Sequence, residues 1–363
     1  MPPSPTTMAA IRRLQPSRLA VIGTILAVVA GGFAYTGGWL SPDRLSPERV
    51  VDALSARGGN PVGHRRNHSK GICFTGQFEA NGAGARLSTA SVLAAGRYPV
   101  TGRFAIATGD PAAPDASSRV RSMAIRITAP NGQEWRSGMN NIPVFPVATL
   151  EAFYEQVVAA RALPATGKPD PEALRAFAAR HPEAAAFNQW ARTAPWTTSF
   201  AEESYNSLNA FRFIDAAGLR RSVRWSMRAT LPQAASSQDA LARLGPDALQ
   251  QDLETRLQAG SLRWHLVVTI AGPDDPTEDA TRAWPADREQ VDVGTLIVEQ
   301  AQAEATGPCR DINYDPLVLP TGIEPSADPI LLARSPAYAN SFTRREAEQG
   351  RAATGMAKPG DRS

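Results

Sequence analysis

The chain is predicted to fold as an α+β protein dominated by an antiparallel sheet, and three observations carry that prediction. Between residues 70 and 127, aromatic and β-branched residues are broken by glycine turns, the text of paired strands. Helical spacing of Ala and Leu then occupies residues 148–162 and 170–193. Strand-like text returns at 210–214, 221–230 and 262–270. Strands outnumber helices, and the helices are inserted mid-chain. The 363 residues would allow two domains. The candidate functional residues are nevertheless spread along the whole chain, so one folded domain is expected.

Taken in order, residues 1–18 form an N-terminal segment expected in the cytoplasm, with Arg12, Arg13 and Arg18 near its end. Residues 19–40 follow as a transmembrane helix or a signal sequence, and no charge occurs from Leu19 to Pro42. About twenty helical residues cross a hydrocarbon core of ~30 Å, and positive charge keeps the preceding end in the cytoplasm. Ala34-Tyr35-Thr36 is a weak cleavage signature, so an uncleaved anchor is favoured. The folded domain is then expected in the periplasm of a Gram-negative cell, held by a single-pass inner-membrane helix or released if the signal is cleaved. Residues 41–59 are a linker, with a Pro- and Arg-containing tether at 41–46.

The folded domain is expected to span residues 60–345. Ile72-Cys73-Phe74-Thr75-Gly76-Gln77-Phe78-Glu79 and Ser122-Met123-Ala124-Ile125-Arg126-Ile127 are strands, residues 163–169 a loop, and residues 246–259 a short helix. The acidic run at 273–279 lacks the spacing and glycine of a calcium loop and is a solvated turn. From Glu346 the tail, 346–363, is charged and expected to be disordered. Net charge is +3, from 38 basic and 35 acidic residues, which gives no single-sign field and no nucleic-acid signature. An oxidising compartment would permit a Cys73–Cys309 disulfide, but their distance in sequence favours two independent buried thiols. His64 and His181 are expected at the surface, and His265, beside Trp264 in a strand, in the core.

The most informative stretch is Arg334-Ser335-Pro336-Ala337-Tyr338, with Arg345 seven residues on. A tyrosine can bind ferric iron once its phenol ionises, which needs a fixed positive charge because the ordinary pKa is ~10. An arginine one helical turn earlier supplies that charge on the same face. Far upstream lies Arg65-Arg66-Asn67-His68-Ser69-Lys70-Gly71, which places His68 where a loop enters a sheet. Between them come Gly102-Arg103-Phe104-Ala105 and Gly138-Met139-Asn140-Asn141-Ile142-Pro143-Val144-Phe145.

Arg-x-x-His before a glycine-containing strand, then Arg-Phe, Asn-x-Pro-x-Phe and Arg-x-x-x-Tyr, together resemble the haem catalase superfamily. The similarity is greatest to its short members, the catalase-related peroxidases. Pro308-Cys309-Arg310-Asp311-Ile312-Asn313 and Leu319-Pro320-Thr321-Gly322-Ile323-Glu324-Pro325-Ser326 fit these members too, and the resemblance covers roughly residues 60 to 345. It implies an antiparallel β-barrel, closed on itself, with flanking and inserted helices. It also implies b-type haem, with Tyr338 as the axial iron ligand and Arg334 favouring its phenolate. His68 would move protons and Asn141 would orient the peroxide. Arg65, Arg103 and Arg345 would meet the haem propionates, with Arg66 pointing elsewhere. Phe145 would wall the pocket, while Phe78 and Phe104 are left to the core.

The implied function is a peroxidase that reduces hydrogen peroxide and organic hydroperoxides with an external electron donor and has little catalase activity. Ala105 stands where many large catalases carry a serine that supports the distal histidine. Nothing corresponds to the long arm, wrapping region and nicotinamide-binding helical domain of large catalases, so easier access for bulky peroxides is expected. A membrane tether would suit a membrane-bound donor such as a cytochrome or quinol system. Two other readings stay open: a haem-binding carrier or sensor, and a hydroperoxide isomerase on the same scaffold.

Overall fold

The computed structural model describes residues 16–36 and 45–353. Two compact units divide the chain, residues 1–46 and 47–363. In the first, α1 (Pro16–Thr36) covers most of the predicted membrane segment. Residues 1–15, 37–44 and 354–363 lie outside the described residues, and with them fall most of the predicted cytoplasmic segment and tether, and the end of the predicted tail. Among the described residues no helix is long and apolar enough to cross a membrane.

The second unit opens with α2 (Pro47–Arg57), where a linker was expected. Pro47 and Glu48 suit a first helical turn, and Val50 and Val51 are buried, so this segment belongs to the fold. Ten strands follow in the chain: β1 (Gly71–Ala80), β2 (Gly96–Ile106), β3 (Arg121–Thr128), β4 (Glu134–Asn140) and β5 (Tyr205–Asn206), then β6 (Phe211–Ile214), β7 (Arg220–Ala229), β8 (Leu262–Ile270), β9 (Gln290–Ala303) and β10 (Ile323–Pro325). Their spatial order is β10-β6-β7-β5-β4-β3-β2-β1-β9-β8, and β8 returns to pair with β7. Eight antiparallel strands thereby close into a barrel, with β6 and β10 as a spur on β7. The β1–β2 ladder runs from Gly71↔Ala105 to Ala80↔Gly96, and the closing β7–β8 ladder from Val223↔Ile270 to Ala229↔Trp264. Closure removes the free sheet edges that would otherwise invite association.

Successive strand residues face opposite sides of a sheet, and this barrel uses the alternation sharply. Met123, Ile125 and Ile127 of β3 and Trp135 and Met139 of β4 are buried in the core. Phe104 centres that core, its ring 4.7 Å from Phe74, 5.2 Å from Phe200 and 5.5 Å from Trp264. Phe78 is also a core residue. The alternate residues Ser122, Ala124, Gly138 and Asn140 face outward, toward a cavity.

Helices α3 (Leu150–Ala159), α4 (Pro171–Arg180) and α5 (Ala185–Thr193) form the inserted block; α6 (Gln238–Arg243), α7 (Ala248–Ala259) and α8 (Pro329–Ala353) come later. The single helix expected over 170–193 is two. Pro182 clashes with a helical conformation at the residue before it, and His181 accordingly takes φ −121°, ψ 70°. The tail expected to be disordered from Glu346 is helical through Ala353. Glu348 there pairs with Arg66, and Gln349 Nε2 donates to the Gly63 carbonyl at 3.0 Å. His265 is exposed rather than buried and faces Asp292 at 2.9 Å, because Trp264 takes the inward position next to it. His181 is half-buried between Glu155 and Glu183, while His64 is exposed as expected.

Candidate active site

A cavity of about 240 Å³ lies between the outward face of β3 and β4 and helices α2, α3 and α8. Helix α8 contributes Arg334, Ala337, Tyr338, Ser341, Phe342 and Arg345, one face at helical spacing. Arg334 Nη2 donates to Tyr338 Oη at 3.1 Å and to the Gly138 carbonyl at 3.2 Å, and Nη1 donates to Asn209 Oδ1 at 3.0 Å. A Cβ at Gly138 would sit 2.9 Å from Arg334 Nη2, so glycine is what lets the guanidinium come so close to β4. Asn209 Nδ2 in turn donates to Asp328 Oδ2 at 2.8 Å, and Asp328 Oδ1 accepts from Ile330 N at 2.9 Å at the start of α8. Burial pushes the Asp328 carboxyl up, against hydrogen bonds from Asn209 and the backbone.

His68 occupies the loop before β1 with φ +53°, a left-handed conformation that costs a non-glycine residue energy and often marks a functional position. The loop is tied down: Ser69 N donates to Thr108 O at 2.9 Å, Ser69 Oγ to Gly109 O at 2.8 Å, and Arg57 Nη2 to Asn67 Oδ1 at 3.0 Å. His68 Nδ1 is shut from water and has no partner among the described residues. Burial, then the positive fields of Arg103, Arg57 and Arg334, push the imidazole down to about 3. It is therefore neutral at ordinary pH.

Asn141 does not share this cavity. Its Oδ1 accepts from Arg121 N at 2.9 Å, and it lines a separate polar cavity with Arg119, Trp190 and Glu203. The neighbouring Asn140 lines the first cavity, and its buried Oδ1 has no partner. Adjacent residues at the end of β4 point to opposite sides, so the asparagine available to a ligand is Asn140. Phe145 lines the cavity, its ring 6.0 Å from Phe153.

The remaining wall is an arginine cradle. Arg65 Nε lies 3.1 Å from Glu304 Oε1, and Arg103 Nη2 lies 2.6 Å from Glu304 Oε2. Arg65 Nη2 also donates to the Cys309 carbonyl at 3.0 Å. Arg345 is 4 % exposed, and among the described residues its Nε and Nη2 have no partner; Arg103 Nε has none either. Arg66 points elsewhere, donating to Pro61 O and His64 O and pairing with Glu348. Cys73 and Cys309 are not independent thiols: they form a disulfide with S–S 2.01 Å. Although 236 residues apart, they meet because β1 pairs with the end of β9, Ile72 opposite Ala303.

These residues fit haem. Three arginines less one glutamate leave two positive charges beside buried N–H groups without partners, which suits two propionates. Tyr338 carries an oxygen donor backed by a cation. The structure brings Arg65, His68, Arg103, Phe145, Arg334, Tyr338 and Arg345 to this one cavity. Sequence reasoning missed Asn140, Asn209, Asp328 and Glu304. Asp328 carried a signal, an Asp-Pro pair at a helix start; Asn209 and Glu304 carried none.

A solved bacterial catalase superposes with a TM-score of 0.72 and 21 % identity, over 88 % of this chain and 64 % of its own. A fungal catalase gives 0.72 and 18 %, over 82 % of this chain and 62 % of its own. The fold is that of the catalases, and the chain spans about 62–64 % of the length of these two structures. The catalase family model matches residues 41–350, and the chain belongs to the catalase family. It is 38 % identical over 330 residues to the catalase-related peroxidase of Synechococcus elongatus, covering 90 % of this chain and 94 % of that one. To the catalase-related peroxidase of Mycolicibacterium paratuberculosis it is 32 % identical over 304 residues, 83 % and 95 %.

Proposed function

We propose that the chain is a haem-dependent peroxidase that reduces hydrogen peroxide and organic hydroperoxides with electrons from an external donor, with little catalase activity. One observation carries the reading: a neutral histidine whose Nδ1 has no partner among the described residues, and an asparagine whose Oδ1 has none, share a cavity with an arginine-backed tyrosine. Tyr338 would hold the iron of b-type haem, and Arg65, Arg103 and Arg345 its propionates. When bound, the haem supplies an iron that coordinates peroxide and passes on the two electrons of its reduction. His68 accepts the proton of the inner peroxide oxygen and delivers it to the outer one, so that the departing group leaves as water or an alcohol. Asn140 donates its amide N–H to the peroxide and orients it. Two electrons and two protons in all convert a hydroperoxide to an alcohol and water.

Peroxidase rather than catalase is supported by Ala105, which offers His68 no hydroxyl, and by the unpartnered His68 Nδ1. A location outside the cytoplasm is supported by the uncharged run after Arg18 and by the disulfide, which persists in oxidising compartments. Only the uncharged run from Leu19 to Pro42 supports a membrane attachment and, with it, a membrane-bound donor. Stopped-flow absorption of the haem-loaded full chain, mixed with peroxide and then donor, tests the enzyme. A peroxide-driven spectral change reversed by donor is expected. A spectrum indifferent to peroxide points to a carrier or sensor, donor-independent rearrangement of a lipid hydroperoxide points to an isomerase, and no Soret band ends the reading.

A further inference from the structure

The arginine cradle contains a carboxylate that no sequence motif announces. Glu304 sits in the turn directly after β9, and its two oxygens divide between Arg65 at 3.1 Å and Arg103 at 2.6 Å. Burial alone would raise its pKa, but Arg103 and then Arg65 outweigh burial and hold it below the ordinary carboxylate range, so Glu304 is charged. Arg345, desolvated by burial, feels Glu304 as the foremost favourable charge near it. Asp311 acts on Arg345 more weakly; it is 54 % exposed and engaged by Arg310 at 2.6 Å. Shortly after Glu304 the chain is crosslinked to β1 by the Cys73–Cys309 disulfide, which restrains the segment that follows the carboxylate.

We propose that Glu304 is the resident counter-ion of the cradle: it reduces three guanidinium charges to a net two, the complement of a tetrapyrrole bearing two carboxylates. It is thus a positioning and specificity residue, and the proposal rests on the haem reading of the cavity and deepens it. Three like charges in a partly buried site repel strongly, and a buried charge without a partner destabilises the fold. Glu304 therefore preserves the empty cradle and holds Arg65 and Arg103 in position, while leaving charge for the incoming group.

Thermal melts of the apoprotein at low and high salt, with and without added haem, test this in wild type, Glu304→Gln, Glu304→Asp and the double variant Glu304→Gln/Arg345→Gln. Glu304→Gln should melt several degrees below wild type when empty, with the deficit shrinking in high salt. The double variant restores a net charge of two and should recover most of the loss, and Glu304→Asp, which keeps the charge, should lose little. Haem should raise the melting temperature of Glu304→Gln by more than that of wild type, and haem dimethyl ester, which lacks the carboxylates, should not. An unchanged Glu304→Gln melt, a double variant less stable than the single one, or an Asp variant as damaged as the Gln variant would overturn the counter-ion role. Absence of any haem-induced rise or Soret band in wild type would sink the haem reading instead, and the empty-protein melts would still decide the role of Glu304.

Discussion

The two sides of the cavity treat their polar groups differently. At the start of α8, Arg334, Asn209 and Asp328 pass hydrogen bonds from one to the next, and the chain ends on Tyr338 Oη and the helix backbone. Across the cavity, His68 Nδ1, Asn140 Oδ1, Arg103 Nε, and Arg345 Nε and Nη2 are buried without partners among the described residues. A buried polar group left unpaired costs about 1–3 kcal/mol. The engaged side is arranged to hold one residue still. The unengaged side makes sense as a surface completed by something that binds, and it holds the residues proposed to move a proton and to meet carboxylates.

On this division, replacing unengaged groups should damage function, and replacing engaged ones should damage stability. The largest functional effect is expected at His68: His68→Ala should lower peroxide reduction by about 10²–10⁴-fold while haem content, read from the Soret band, stays near wild type. Parallel loss of haem would place His68 among the structural groups. The same residue should shape the acid limb of apoprotein stability. Its folded pKa of about 3 lies below the ordinary 6.5, so between these values the unfolded chain binds a proton that the folded chain refuses. His68's contribution is full above pH 6.5 and lost as pH falls toward 3. Urea titrations of His68→Gln from pH 8 to 4 should show a flatter acid decline than wild type.

Next comes the disulfide. Cys73→Ser/Cys309→Ser should cost roughly 2–5 kcal/mol of stability by denaturant unfolding. Because the Cys309 carbonyl accepts from Arg65, haem should also leave the variant faster, measured by transfer to apomyoglobin. An unchanged transfer rate would show that the cradle does not depend on the crosslink.

The asparagine pair gives a sharper contrast. Asn140→Ala should lower turnover by roughly 10²-fold at little cost in stability. Asn141→Ala should cost about 1–3 kcal/mol by unfolding the Arg121 contact, with turnover per haem near wild type. The opposite pattern would return Asn141 to the active site. An effect of similar size is expected from Arg345→Gln, which removes one charged contact and should weaken haem binding roughly 10–150-fold, or about 1.5–3 kcal/mol, by Soret titration.

Much of this site was legible because its residues lie in short segments whose local geometry is set by the backbone. Arg334 and Tyr338 share a helix face at i and i+4, and Arg65 and His68 share one loop. Elsewhere local text was insufficient. Motif spacing could not choose between Asn140 and Asn141, because that depends on which way β4 ends against β5, where Asn140 pairs with Asn206. The linker-like composition of residues 47–57 concealed α2, whose Val50 and Val51 bury only once the cavity and α8 exist to cover them.

The sequence by itself determined β1 to β3, β6 to β8, the inserted helices and side chains whose chemistry suits iron, a proton and carboxylates, since these follow from side-chain chemistry and backbone period, whereas β4 and β9 were not anticipated. Barrel closure through β7 and β8 was decided only by tertiary structure, as were the Cys73–Cys309 pair and the meeting of Glu304 with Arg65 and Arg103. Each joins residues tens to hundreds of positions apart, and contacts of that kind arise from the packing of the whole barrel rather than from any local preference.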